Sequence, residues 1–158
     1  MVLVIASVTA AVAFGVTMLQ SGRNAAGGDR SGVVKVDVSG LHVGAVVTAT
    51  RRIDALGGAM WPVLVVAESK SEYSAFLGRS PHLGCRVSWV DDPHYTRFST
   101  GRAVAFEDPC GGAEFTLAGV CIGGPCSRGL DHFPIAVANG EARIDLNALA
   151  DGPPRGAP

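Results

Sequence analysis

The sequence predicts an all-β domain behind a single apolar N-terminal segment. Three observations lead there. Glycine and proline number 21 and 9 among 158 residues, which interrupts the chain too often for long helices. The apolar and β-branched runs after the N-terminus are short and are divided by turn residues. No long amphipathic helical period and no internal repeat run through them. About ten short strands follow from this pattern, and they fit an antiparallel sandwich or small barrel. The formal net charge is −1 and the isoelectric point is near 6.4, with no Lys/Arg cluster, so nucleic-acid binding has no electrostatic basis.

Residues 1–19, "MVLVIASVTAAVAFGVTML", carry no charge. As a helix they span roughly 28 Å, close to the thickness of a bilayer's hydrocarbon core. Only Ser7, Thr9 and Thr17 interrupt the run, so it has no polar face of the kind a buried amphipathic helix shows. A cleaved signal peptide is the rival reading. It calls for a basic stretch before the apolar run, and none is present. The segment therefore reads as one uncleaved transmembrane anchor. Arg23 and Arg30 follow it, too few charges for the positive-inside rule to orient the chain. Residues 20–31, "QSGRNAAGGDRS", are small and polar and read as a flexible linker.

The globular part is read as residues 32–150. "VVKVDV" (33–38) and "AVVTAT" (45–50) are strands. "WPVLVVAE" (61–68) is nearly all apolar and β-branched, and so is expected to be covered on both faces. It forms a hairpin with "EYSAFL" (72–77) across a polar turn. "CRVSWV" (85–90), "FST" (98–100), "AVAFE" (103–107) and "EFTL" (114–117) are short strands. "AGVCIGGPCSRG" (118–129) reads as a Gly/Pro/Cys-rich loop. "FPIAVANGEARIDL" (133–146) holds two strands around Asn139-Gly140, a strong signal for a type I′ turn. Residues 151–158, "DGPPRGAP", read as a disordered tail.

The four cysteines lie between positions 85 and 126. An even number suits two disulfides in an oxidising compartment, which places the globular part outside the cytoplasmic membrane. The alternatives are buried thiols in a reducing compartment, or a zinc site, although the C-x2-C spacing of zinc sites is absent. Cys121 and Cys126 flank a Gly-Gly pair and suit a small closed ring.

Two short boxes draw attention to chemistry. "SPHLGC" (80–85) has a histidine three residues before a cysteine, and "DPCGGA" (108–113) has a second cysteine and no histidine. These boxes resemble the two cluster-binding boxes of the Rieske 2Fe–2S family, C-x-H-x-G-C and C-x-C-H-x-x. "WPVLVV" before the first box, "GGPCSRGLDHFPI" after the second and the closing "NGEARIDL" follow the same order. The resemblance covers about 33 to 149. An N-terminal anchor with a linker is similar to the iron–sulfur subunits of cytochrome bc complexes.

The resemblance implies roles position by position. His82 keeps a ligand position. Ser80 and Asp108 stand where the two cysteine ligands belong, and Gly111 stands where the second histidine belongs. Cys85 and Cys110 match the disulfide that ties the boxes together. A Rieske centre needs two thiolates on one iron and two imidazoles on the other. Ser80 and Asp108 offer hard oxygen, and Gly111 offers nothing. The family's supporting hydroxyls, a serine and a tyrosine, are replaced by Ala113 and Phe115.

Two functions follow as expectations. One is a membrane-anchored Rieske-like domain with no cofactor, acting as a structural or interaction subunit beside a membrane redox complex of cytochrome b/c type. The other is an electron carrier that holds a 2Fe–2S cluster through a non-standard ligand set; one such set has the thiols of Cys121 and Cys126 replace lost ligands, with His82 and Asp108 beside them. An intrinsic enzymatic activity has no positive support. Ser80, His82 and Asp108 form a nominal hydrolytic trio, but no nucleophile elbow or oxyanion motif accompanies them. His42, His94 and His132 read as turn, loop and strand-start residues.

Overall fold

A computed structural model of the protein describes residues 32–90 and 103–155. The expected anchor (1–19), the linker (20–31), the "FST" strand and His94 lie outside the described residues. The strands are β1 (Val33–Asp37), β2 (Val46–Ile53), β3 (Ala59–Ala67), β4 (Tyr73–Leu77), β5 (Ser88–Trp89), β6 (Phe106–Glu107), β7 (Glu114–Phe115), β8 (Cys121–Gly123), β9 (His132–Phe133), β10 (Ile135–Ala138) and β11 (Glu141–Asp145). They form three antiparallel sheets, ordered β1-β11-β10, β2-β3-β4-β9 and β5-β6-β7-β8. The all-β expectation holds among the described residues.

The middle sheet explains how the three fit together. Side chains alternate between the faces of a strand. Val63 and Val65 of β3, with Ala75 and Leu77 of β4, join one buried cluster with Val36 and Ile144 of the β1-β11-β10 sheet. Leu64 and Val66 of β3, with Phe76 of β4, join a second cluster with Phe106 and Phe115 of the small sheet. The hairpin β3–β4 is thus covered on both faces, which is why its sequence is an almost unbroken apolar run. Register is strict here, because a slip of one residue would exchange the two cores. One Phe pair marks the junction: the rings of Phe76 and Phe106 meet edge-on, with centroids 6.1 Å apart at 67°.

The β10–β11 turn forms as the sequence predicts. Ala138 opposes Glu141, leaving a two-residue loop. Asn139 and Gly140 both take positive φ, 51° and 76°, as a type I′ turn requires. A 3₁₀ turn, Asp54–Leu56, lies between β2 and β3, in a stretch the sequence leaves unassigned. Elsewhere the structure differs from the expectation. The loop expected over 118–129 contains β8, which pairs with β7 across a bulge.

Residues 151–155 are not a free tail either. Gly129 N–H bonds the Pro153 carbonyl at 2.7 Å, and Arg155 N–H bonds the Ser127 carbonyl at 3.2 Å. The Asp131 carboxylate, buried at 7% exposure, takes a forked bond from Arg128 and accepts from Gly152 N–H at 3.1 Å. Two prolines lower the cost of ordering this segment, because their φ is already restricted in the unfolded chain.

Candidate functional site

The first box leaves the end of β4 as a closed loop. Ser80 N–H bonds the Cys85 carbonyl at 2.8 Å, and Gly84 N–H bonds the Ser80 carbonyl at 3.0 Å. The buried Ser80 Oγ accepts from His82 N–H at 3.3 Å. Ser80 therefore serves as a turn residue, its hydroxyl committed to backbone. His82 and Leu83 are exposed at the tip of this loop. At its base, the guanidinium groups of Arg79 and Arg86 each lie 5.6 Å from the centre of the Trp61 ring, within cation–π range.

The second box joins β6 to β7 and turns on Asp108. Asp108 N–H bonds the Ala113 carbonyl at 2.8 Å, and Gly112 N–H bonds the Asp108 carbonyl at 2.7 Å. The side-chain Oδ1 accepts from the N–H groups of Cys110 and Gly111, each at 3.0 Å. This is the local geometry in which aspartate competes best with regular structure. Asp108 is fully buried, and its Oδ2 has no hydrogen-bond partner among the described residues. The His82 imidazole beside it is therefore not a donor to that oxygen.

Gly111 fits this arrangement for a steric reason. A Cβ there would lie 2.7 Å from Asp108 Oδ2 and 3.0 Å from His82 Cδ2. The carboxylate of Asp108 and the edge of the His82 ring take up the space that a side chain at 111 would need. Ala113 and Phe115 are wholly buried in the second core, so these positions serve packing.

Three loops converge. Cys85 and Cys110 form a disulfide between the boxes, with Cα atoms 6.5 Å apart. Cys121 and Cys126 form a second disulfide, Cα atoms 6.2 Å apart, closing the third loop on itself. That loop reaches box two at Gly124, where a Cβ would strike the Gly112 carbonyl. Arg155 clamps it from the C-terminal side, donating from Nη1 to the carbonyls of Gly124 (2.8 Å) and Cys126 (3.2 Å).

The sequence-predicted residues Ser80, His82, Cys85, Asp108, Cys110 and Gly111 are thus brought to one end of the molecule. They do not form a hydrolytic triad, since the Ser80 hydroxyl is held by backbone and Asp108 points its accepted bonds into its own turn. Cys121 and Cys126 are bonded to each other and offer no thiolate. Sulfur atoms of Cys85 and Cys110 and one Asp108 oxygen lie within 4.8 Å of one another, while His82 falls outside that group. Sequence reasoning missed the Arg155 clamp, Trp61 between its two arginines, and the Arg128–Asp131 pair. Only the last has a local signal, the i,i+3 spacing of opposite charges.

No family model and no curated protein sequence matches the chain.

Proposed function

We propose that this chain is a membrane-anchored Rieske-like domain without a 2Fe–2S cluster. It serves as a structural or interaction subunit beside a membrane redox complex of cytochrome b/c type, on the extracytoplasmic side. One observation carries the reading: the two box loops meet and are cross-linked through Cys85 and Cys110, yet the side chains at the two cysteine-ligand positions, Ser80 and Asp108, are already used for folding. Ser80 and Asp108 staple their own turns. Gly111 has no donor, and a side chain there would collide with Asp108. A cluster needs soft thiolate, and the described cysteines are all in disulfides. Two disulfides also favour an oxidising compartment.

The second reading, an electron carrier with a non-standard ligand set, draws on the exposed His82 and the unpartnered Asp108 oxygen. A single experiment separates them. The full chain is expressed in a host that assembles iron–sulfur clusters, and its iron, acid-labile sulfide, visible absorption and EPR spectrum after reduction are measured. The first reading expects no iron and no visible bands. A Rieske-type EPR signal would overturn it in favour of the second.

A further inference from the structure

We propose that the Cys85–Cys110 bridge is a redox-gated zinc site. When the bridge is opened, both thiolates and the Asp108 carboxylate bind one zinc ion. The inference does not depend on the Rieske reading, in which these two cysteines are not metal ligands.

Four observations converge on it. The two sulfurs and an Asp108 oxygen already lie within 4.8 Å of one another. Zinc bonds of about 2.3 Å to sulfur and 2.0 Å to oxygen, in tetrahedral geometry, set ligand atoms roughly 3.3–3.8 Å apart. The sulfurs must move apart from bonding contact to reach that spacing, and the Asp108 oxygen is already within 4.8 Å of both. Second, Asp108 is fully buried and one of its oxygens has no hydrogen-bond partner among the described residues. An unpaired buried carboxylate oxygen is costly and a cation beside it removes that cost.

Third, Cys110 is exposed and Cys85 half-buried, whereas Cys121 and Cys126 are 3% and 2% exposed. An external reductant therefore reaches the first bridge more easily than the second. Fourth, each box turn is closed by hydrogen bonds that do not run through the bridge: Ser80 N–H to the Cys85 carbonyl in the first, and Asp108 N–H to Ala113 and Gly112 N–H to Asp108 in the second. Each turn can therefore keep its shape when the covalent link opens, and the metal takes over the link between the two boxes.

The chemistry balances as thiol–disulfide exchange. A small dithiol transfers two electrons and two protons to the bridge, giving two cysteine thiols, and becomes a disulfide itself. Zinc then displaces the two thiol protons to solvent. Two thiolates, one carboxylate and a divalent ion leave a site of net charge −1. Soft sulfur selects zinc over magnesium or calcium. Three protein ligands leave a fourth position open on the exposed side, where Cys110 meets solvent.

The test uses the full chain in detergent, metal-free and anaerobic. Zinc binding is measured by competition with a chromophoric chelator, before and after reduction with a dithiol that is then removed. Cobalt substitution reports thiolate ligation through its charge-transfer absorption. The oxidised chain is expected to bind no zinc and the reduced chain one. Cys121→Ser/Cys126→Ser is expected to retain the site and Cys85→Ser/Cys110→Ser to lose it. Asp108→Asn keeps an oxygen for the turn and is expected to weaken binding at least tenfold. Binding that survives loss of Cys85 and Cys110, or that is unchanged by Asp108→Asn, overturns the proposal. Alkylation mapping of the reduced wild-type chain gives a readout free of substitutions. Zinc should protect Cys85 and Cys110, and full alkylation of both in excess zinc likewise overturns it.

Discussion

The two faces of the central sheet are completed by different means. On one face lies the β1-β11-β10 sheet. Strands β1 and β11 are five residues each and pair over their full length. Val34, Val36, Ala142 and Ile144 point into the core, and no disulfide is needed. On the other face lie the box loops and a sheet whose strands have only two or three residues. Ladders that short leave most of the backbone in turns, and turns cost ordering entropy without a matching apolar return. Both disulfides lie on this side. The base is thus held by burial and the tip by covalent closure and turn-specific hydrogen bonds.

The largest expected effect is at the joint. Phe106 belongs to the tip but is fully buried edge-on against Phe76 of the central sheet. Phe106→Ala should cost about 3–5 kcal/mol in denaturant unfolding, the usual range for a buried phenylalanine. Amide exchange should then rise first at tip amides such as those of Ala105 and Asp108, before Val34 and Ile144 change. Equal loss of protection in both regions would mean that base and tip are one cooperative unit.

Next come the disulfides. Cys85–Cys110 spans 25 residues and Cys121–Cys126 spans 5. In the chain-entropy picture, removing the first as a Ser/Ser pair should cost about 3.5 kcal/mol and the second about 2 kcal/mol. The Arg155 clamp and the close approach at Gly124 remain to hold the third loop, so its measured loss should be the smaller of the two. A reversed order would assign the tip's stability to the third loop instead of to the link between the boxes.

Gly111→Ala probes the box turn on its own. The new methyl meets Asp108 Oδ2 at 2.7 Å and must push it or the His82 ring aside. About 1–2 kcal/mol is expected, the lower part of the range for overpacking. Shortening the neighbour in Asp108→Ser should make the same alanine nearly harmless, a coupling that a double-mutant cycle measures directly. Additive losses would show that Asp108 does not set the requirement for glycine.

These contrasts track what was legible in the sequence. Strands β3 and β4 are long enough to display both their β-branched composition and their double-sided burial, and Asn139-Gly140 announces its turn by chemistry alone. The strands of the tip have only two or three residues, too few to display a sustained alternation, and the sequence of β8 reads as part of a Gly/Pro/Cys-rich loop. Residues 151–158 read as a disordered tail in sequence because the partners that hold 151–155, Ser127, Gly129 and Asp131, are more than 20 residues away in the chain. At the site, the sequence of the two boxes singles out Ser80, Asp108 and Gly111. The buried, unpartnered oxygen of Asp108 is not legible there, because it depends on how three loops close over one side chain.

The smallest effect contrasts two aspartates that use the same device. Asp37 ends β1 in the base, and its Oδ1 accepts from Ser39 N–H at 2.9 Å and Ser39 Oγ at 2.7 Å, much as Asp108 accepts from its own turn. Asp37 is fully solvent-exposed, and the Ser39 backbone N–H, followed by its hydroxyl, holds its carboxyl below the usual carboxylate value. A depressed pKa in the folded state means that the charged form is the one folding favours. Its contribution is therefore present above the ordinary value of 3.8 and is lost as pH falls through the lower folded value. An NMR titration of Asp37 should find it ionised to lower pH than a free aspartate. Ser39→Ala, which removes the hydroxyl but keeps the N–H, should recover only the lesser part of the shift. Full recovery would make the hydroxyl the main cause. An undepressed carboxyl in the wild type would mean that this turn hydrogen bond does not persist in solution, leaving the device effective only where it is buried, at Asp108.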